Sequence, residues 1–104
     1  MAERVLLITG DDTLVRLVAT VAVGAELLRE ADGYGGLAAC ERARPDVVIW
    51  DEDLAGPPAA VSRLVATGAG VVVIAGRGGM AAGVRALREG ADQFVLRPCD
   101  PEAP

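Results

Sequence analysis

Four short apolar runs punctuate the chain, at residues 5–8, 47–50, 71–75 and 94–96. They are rich in β-branched or aromatic residues, and none alternates with polar ones. Unbroken runs of this length suit strands buried on both faces, as in a parallel sheet. Residues 26–30 form a fifth, weaker candidate, with only Leu27 and Leu28 at its apolar centre. Helix-period segments lie between the runs. Asp12 is read as the cap of a helix over 13–23, with Leu14, Leu17, Val18 and Val21 on its inward face and Gly24 as its stop. Residues 36–43 fit a second helix that turns Leu37, Ala38 and Cys40 inward and ends before Pro45. Pro57-Pro58 opens a third through Thr67, with Pro58 in its first turn. Residues 79–89 fit a fourth, carrying Val84 and Leu87 and stopped by Gly90.

The order is therefore β-α-β-α-β-α-β-α-β. Strict alternation predicts an α/β fold, a doubly wound five-stranded parallel sheet with right-handed crossovers and helices on both faces. After the last strand come only residues 97–104, three of them proline, which do not make a helix. The pattern thus ends one helix early.

Composition narrows the chemistry. The 104 residues are 52% hydrophobic and 24% charged, enough apolar matter for one small domain with one core. Net charge is −5, which argues against nucleic acid as a direct partner. There is no His, so Ser-His-Asp triads, His-ligated metals and phosphohistidine chemistry are excluded. There is no Lys, so Schiff bases and a P-loop lysine are excluded as well, and all ten cations are Arg. Cys40 and Cys99 read as free thiols in a reducing compartment. No apolar run approaches the ~20 residues of a membrane span, and the N-terminus lacks the shape of a signal peptide, so a cytoplasmic location is expected. Carboxylate chemistry remains.

In open α/β sheets, sites lie beyond the carboxyl ends of the strands. There the first strand delivers Thr9-Gly10-Asp11-Asp12, and the third delivers Asp51-Glu52-Asp53. If these strands are neighbours, at least three carboxylates converge. Such crowding is costly unless a cation joins them, and oxygen-only ligands favour a hard ion such as Mg²⁺. On the alternative reading, Asp12 is only a helix cap and Asp51 only a loop residue. Arg97, after the last strand, could face the acidic cluster and pair with Asp51 or with a phosphoryl group.

Three motifs carry a family resemblance. Asp11-Asp12 follows the first strand. Pro45-Asp46-Val47-Val48-Ile49-Trp50-Asp51 is similar to a stretch written RPDLVLLD. Gly90-Ala91-Asp92-Gln93-Phe94-Val95-Leu96-Arg97-Pro98 is similar to GADDYLVKP. In this order they resemble the receiver domain of bacterial two-component response regulators, along nearly the whole chain. The resemblance implies the flavodoxin-like strand order 2-1-3-4-5. It implies Asp51 as the phosphoacceptor and Asp11 or Asp12, Asp51 and the backbone carbonyl of Asp53 as holders of Mg²⁺. Phe94 would be the aromatic switch residue, and Arg97-Pro98 a cis peptide bond. A histidine kinase or phosphotransfer protein would supply the phosphoryl group. An output domain or partner protein would read it, with a homodimer as a further arrangement. No enzyme activity is implied beyond assisting the domain's own phosphoryl transfer and dephosphorylation.

Two residues depart from the family pattern. Arg97 stands where the family has lysine, and a planar guanidinium must contact its partners differently from an ammonium. Ala75 stands at the switch position where the family has Thr or Ser, and it cannot donate that bond. Without the usual fifth helix, apolar sheet surface beside the first helix would be bare, so the chain is read as an excerpt of a longer protein or as covered by another domain or subunit. Two alternatives to a phosphoacceptor remain. One is a degenerate pseudo-receiver that acts by protein contact alone. The other is a nucleotide-binding module built on Gly76-Arg77-Gly78-Gly79-Met80-Ala81, which formally reads GxGxxA.

Overall fold

A computed structural model describes residues 3–97. Five strands alternate with four helices: β1 (Arg4–Ile8), α1 (Asp12–Val21), β2 (Glu26–Glu30), α2 (Gly33–Ala43), β3 (Val47–Asp51), α3 (Ala60–Ala66), β4 (Gly70–Ala75), α4 (Gly79–Arg88) and β5 (Gln93–Leu96). All neighbouring strands pair in parallel, in the order β2-β1-β3-β4-β5. This is the doubly wound sheet that the apolar runs predict. The registers Ile8↔Trp50, Asp51↔Ile74 and Ala75↔Leu96 bring the carboxyl ends of β1, β3, β4 and β5 to one edge.

The two-residue period of the strands sorts their side chains between two cores. Leu6, Ile8, Val48, Trp50, Val71 and Val73 face α2, α3 and α4, where they meet Leu37, Cys40, Leu64 and Ala86. Full burial of a side chain such as Leu64 contributes about 1.5–3 kcal/mol. Leu7, Leu14 and Ile74 form the core of the other face, with Val15, Val18, Leu27 and Ile49 packed around them. Among the described residues α1 is the helix that covers this second face. Leu17 and Val21, expected inward, are therefore exposed at 51% and 77%. The segment after Arg97 lies outside the described residues, and with it the cis bond expected at Pro98, Cys99 and the expectation that no fifth helix follows. Among the described residues, no helix is long and apolar enough to cross a membrane.

Three helix starts differ from the sequence reading. Asp11, not Asp12, caps α1: its carboxylate accepts the backbone N–H of Thr13 and Leu14. α2 begins at Gly33, capped by Asp32, rather than at residue 36. Its glycines mask the helical pattern because they allow close approach to the sheet. A Cβ on Gly36 would lie 2.5 Å from the Ile8 side chain. In that helix Ala39, not Ala38, is buried with Leu37 and Cys40. α3 starts only at Ala60, because Ala59 takes a left-handed conformation (φ 55°) and leaves Pro57 and Pro58 in the preceding loop.

Candidate functional site

The ends of β1, β3 and β5 each deliver one polar group to the same edge. Asp51, the last residue of β3, is 4% exposed. Thr9, one residue beyond β1, is fully buried. Its hydroxyl donates to Asp51 Oδ2 (2.7 Å) and accepts the Asp11 N–H (3.1 Å). Arg97, one residue beyond β5, is fixed through its backbone: its N–H donates to the Ala75 carbonyl at 2.7 Å. From that anchor the guanidinium reaches back across the edge. One terminal nitrogen bonds Asp11 Oδ2 and the other donates to Asp51 Oδ2 (2.7 Å). Nε stands 3.5 Å from Asp53 Oδ2, an ion pair without a hydrogen bond.

The Asp53 side chain enters the site as well. Its backbone N–H donates to Asp51 Oδ1 (3.0 Å), and its own Oδ1 accepts the Arg77 N–H (2.8 Å). Gly76 makes the room: a Cβ there would fall 2.0 Å from Asp53 Oδ2. Between these groups lies a cleft of about 260 Å³ lined by Gly10, Asp11, Asp51, Asp53, Leu54, Arg77 and Arg97.

The electrostatics follow from this contact set. For Asp11, burial acts to raise the carboxyl's pKa. The Thr13 and Leu14 N–H groups and the Arg97 guanidinium outweigh it and hold the group below the usual carboxylate range. The hydrogen bond to Asp51 holds Arg97 charged beyond its ordinary value. Burial opposes it, and the charges of Asp51 and Asp11 add to it.

Of the residues singled out in the sequence, the structure brings Asp11, Asp51 and Arg97 together. Asp12 is a correction. It is the first residue of α1, its side chain is 77% exposed, and it pairs with Arg29 (3.1 Å) instead of joining the cluster. Adjacent residues in a helix point about 100° apart, so once Asp11 caps α1 and faces Arg97, Asp12 must face elsewhere. Ala75 ends β4 as expected, and its buried methyl offers no hydroxyl. Phe94 is half-buried against Gly83 of α4, where a Cβ would meet its ring at 2.2 Å. The sequence reading missed Thr9. The available signal was a polar residue continuing an apolar strand directly beside Asp51. The Asp53 carboxylate, one of the acids expected to converge after β3, does enter the site, whereas the family resemblance implied only its backbone carbonyl.

The three carboxylates do not fit a divalent ion in this arrangement. All six of their oxygens already face a protein donor: the Thr13 and Leu14 amides, the Thr9 hydroxyl, the Asp53 and Arg77 amides, and the three nitrogens of Arg97. Among the described residues no group of three or more acidic or thiol side chains is disposed to hold a metal ion.

No protein-family model matches the sequence, and no curated protein matches it. Solved structures do. A putative response regulator from Chloroflexus aurantiacus superimposes with a TM-score of 0.81 at 21% identity, covering 98% of this chain and 90% of its own. NtrX from Brucella abortus, solved with ADP, gives 0.80 at 29% identity over 96% of this chain, which spans only 24% of NtrX. The CheX–CheY–BeF3–Mg²⁺ complex from Borrelia burgdorferi gives 0.77 at 20% identity, over 94% of this chain and 80% of its counterpart. The sheet order, the acidic edge and these superpositions agree: the chain has the receiver-domain fold of the response regulators.

Proposed function

We propose that this chain is a signal-transduction receiver domain that works by protein contact, with its acidic pocket closed by its own arginine. The observation that carries this reading is the Arg97 guanidinium, bonded to both Asp11 and Asp51 and 3.5 Å from Asp53. A phosphoacceptor needs a free carboxylate lone pair in line with the donor and a cation to spread the developing charge. Asp51 Oδ1 accepts from Asp53, and Oδ2 accepts from both Thr9 and Arg97. The cation beside it is already bound to the ground-state carboxylates. Ala75 weakens the coupling further. A hydroxyl bonded to a phosphoryl oxygen contributes about 1.5–3 kcal/mol, and a full two-state switch requires roughly 5.5 kcal/mol of differential binding. The partner in this reading is a protein surface, either an attached output domain or a separate protein.

A second reading is phosphoryl transfer to Asp51 from a histidine kinase or phosphotransfer protein, with Mg²⁺. It is favoured by the cleft beside Asp51, in which Arg77 and Arg97 offer two cations to an oxyanion. Intact-mass analysis after incubation with Mg²⁺ and a small phosphodonor separates the two. Protein contact alone predicts an unchanged mass. A gain of one phosphoryl group that vanishes in Asp51→Asn would establish the second reading.

A further inference from the structure

We propose that Arg97 is the resident cation of the acidic pocket, holding the position a divalent ion would need, so that the domain keeps this site assembled without metal. One carboxylate approaches from the loop after β1 and two from the end of β3 and the turn after it, and one side chain meets all three. The guanidinium suits this task because its donors form a rigid fork, whereas an ammonium is a single point charge. Its position is fixed from behind, since the Arg97 N–H is held by the Ala75 carbonyl. The surroundings make a cation necessary. The side chains of Asp51 and Asp53 are only 5% and 20% exposed, so water screens their mutual repulsion poorly. The three oxygens that Arg97 leaves accept backbone amides, and the Thr9 hydroxyl shares Asp51 Oδ2 with the guanidinium. A divalent ion held by all three carboxylates together would have to displace the guanidinium that already contacts each of them. Arginine is never deprotonated in the physiological range, so this counter-charge is permanent.

The inference rests on the receiver-like site geometry, not on whether Asp51 takes a phosphoryl group. Its test reads metal binding in unphosphorylated protein, so the two proposals can fail separately. The full chain is unfolded thermally at matched ionic strength with increasing MgCl₂, and again with MnCl₂, followed by Trp50 fluorescence. The wild type is expected to show no saturable rise in melting temperature. Arg97→Met is expected to melt lower without metal and to gain a saturable rise of about 5 °C or more, because an ion that binds only the folded state stabilises it. If Arg97→Met does not fold without metal, Arg97→Lys carries the same comparison, since it keeps the charge but loses the fork. A saturable metal response in the wild type overturns the proposal. So does an Arg97→Met protein that is as stable as the wild type and indifferent to both ions.

Discussion

Replacing Thr9 by valine isolates the one buried hydroxyl in the site. The two side chains are nearly the same size, and Thr9 is fully buried, so the change trades a hydroxyl for a methyl with little repacking. Two bonds are lost: the 2.7 Å donation to Asp51 Oδ2 and the 3.1 Å acceptance from the Asp11 N–H. A hydrogen bond to a charged group contributes about 1.5–3 kcal/mol, and a partly buried amide left without a partner costs about 1 kcal/mol more. The added methyl returns about 0.8 kcal/mol of burial. The expected net loss is about 2–3 kcal/mol. In a domain of this size each kcal/mol moves the melting temperature by about 4–8 °C, so a fall of roughly 8–24 °C follows. Urea unfolding followed by Trp50 fluorescence measures it, because Trp50 is buried next to Asp51. Thr9→Ser is the control: it keeps both bonds, loses one methyl, and should cost about 1 kcal/mol. A Thr9→Val midpoint within about 0.5 kcal/mol of the wild type would refute the claim that this hydroxyl anchors Asp51.

Other consequences of the site are open to measurement. Gly76→Ala would set a Cβ 2.0 Å from Asp53 Oδ2, push that carboxylate off Arg97, and break its bond to the Arg77 N–H; a loss of about 1–3 kcal/mol in chemical unfolding is expected. Asp11 has a folded pKa below its unfolded value of 3.8, so its contribution to stability is complete above about pH 4 and is lost as pH falls through the lower, folded value. An acid titration of Asp11→Asn should therefore lack that part of the wild-type decline, while still capping α1, because asparagine also caps well. An unaltered acid limb in this variant would contradict the contact set that holds the Asp11 carboxyl low, the Thr13 and Leu14 amides together with Arg97.

The strands were legible because their signal is burial. Continuous apolar runs such as those around Val48 and Val73 have few alternatives to a central parallel strand. The strand ends were legible for the same reason, and with them the convergence of Asp51 and Arg97. What the sequence did not determine is the rotational phase of side chains in the loops. Asp11 and Asp12 are chemically identical neighbours, and only the start of α1 decides which one faces Arg97. Gly33 and Gly35 read as a loop ahead of a helix starting at Gly36, yet all three lie in the first turn of a helix pressed against the sheet. The side chain of Asp53 is drawn inward by the Arg77 amide, 24 residues away, a contact no local pattern encodes.

The central claim is that Arg97 and Asp51 are energetically one unit, and a double-mutant cycle tests it most directly. Wild type, Arg97→Met, Asp51→Asn and the double variant are unfolded in urea without metal or phosphodonor. The 2.7 Å charge-assisted bond between a largely buried carboxylate and a guanidinium predicts a coupling energy of about 1.5–3 kcal/mol, with the double variant less damaged than the sum of the single ones. Additive losses, with a coupling below about 0.5 kcal/mol, would mean that the arginine does not close the pocket, and the account would fail.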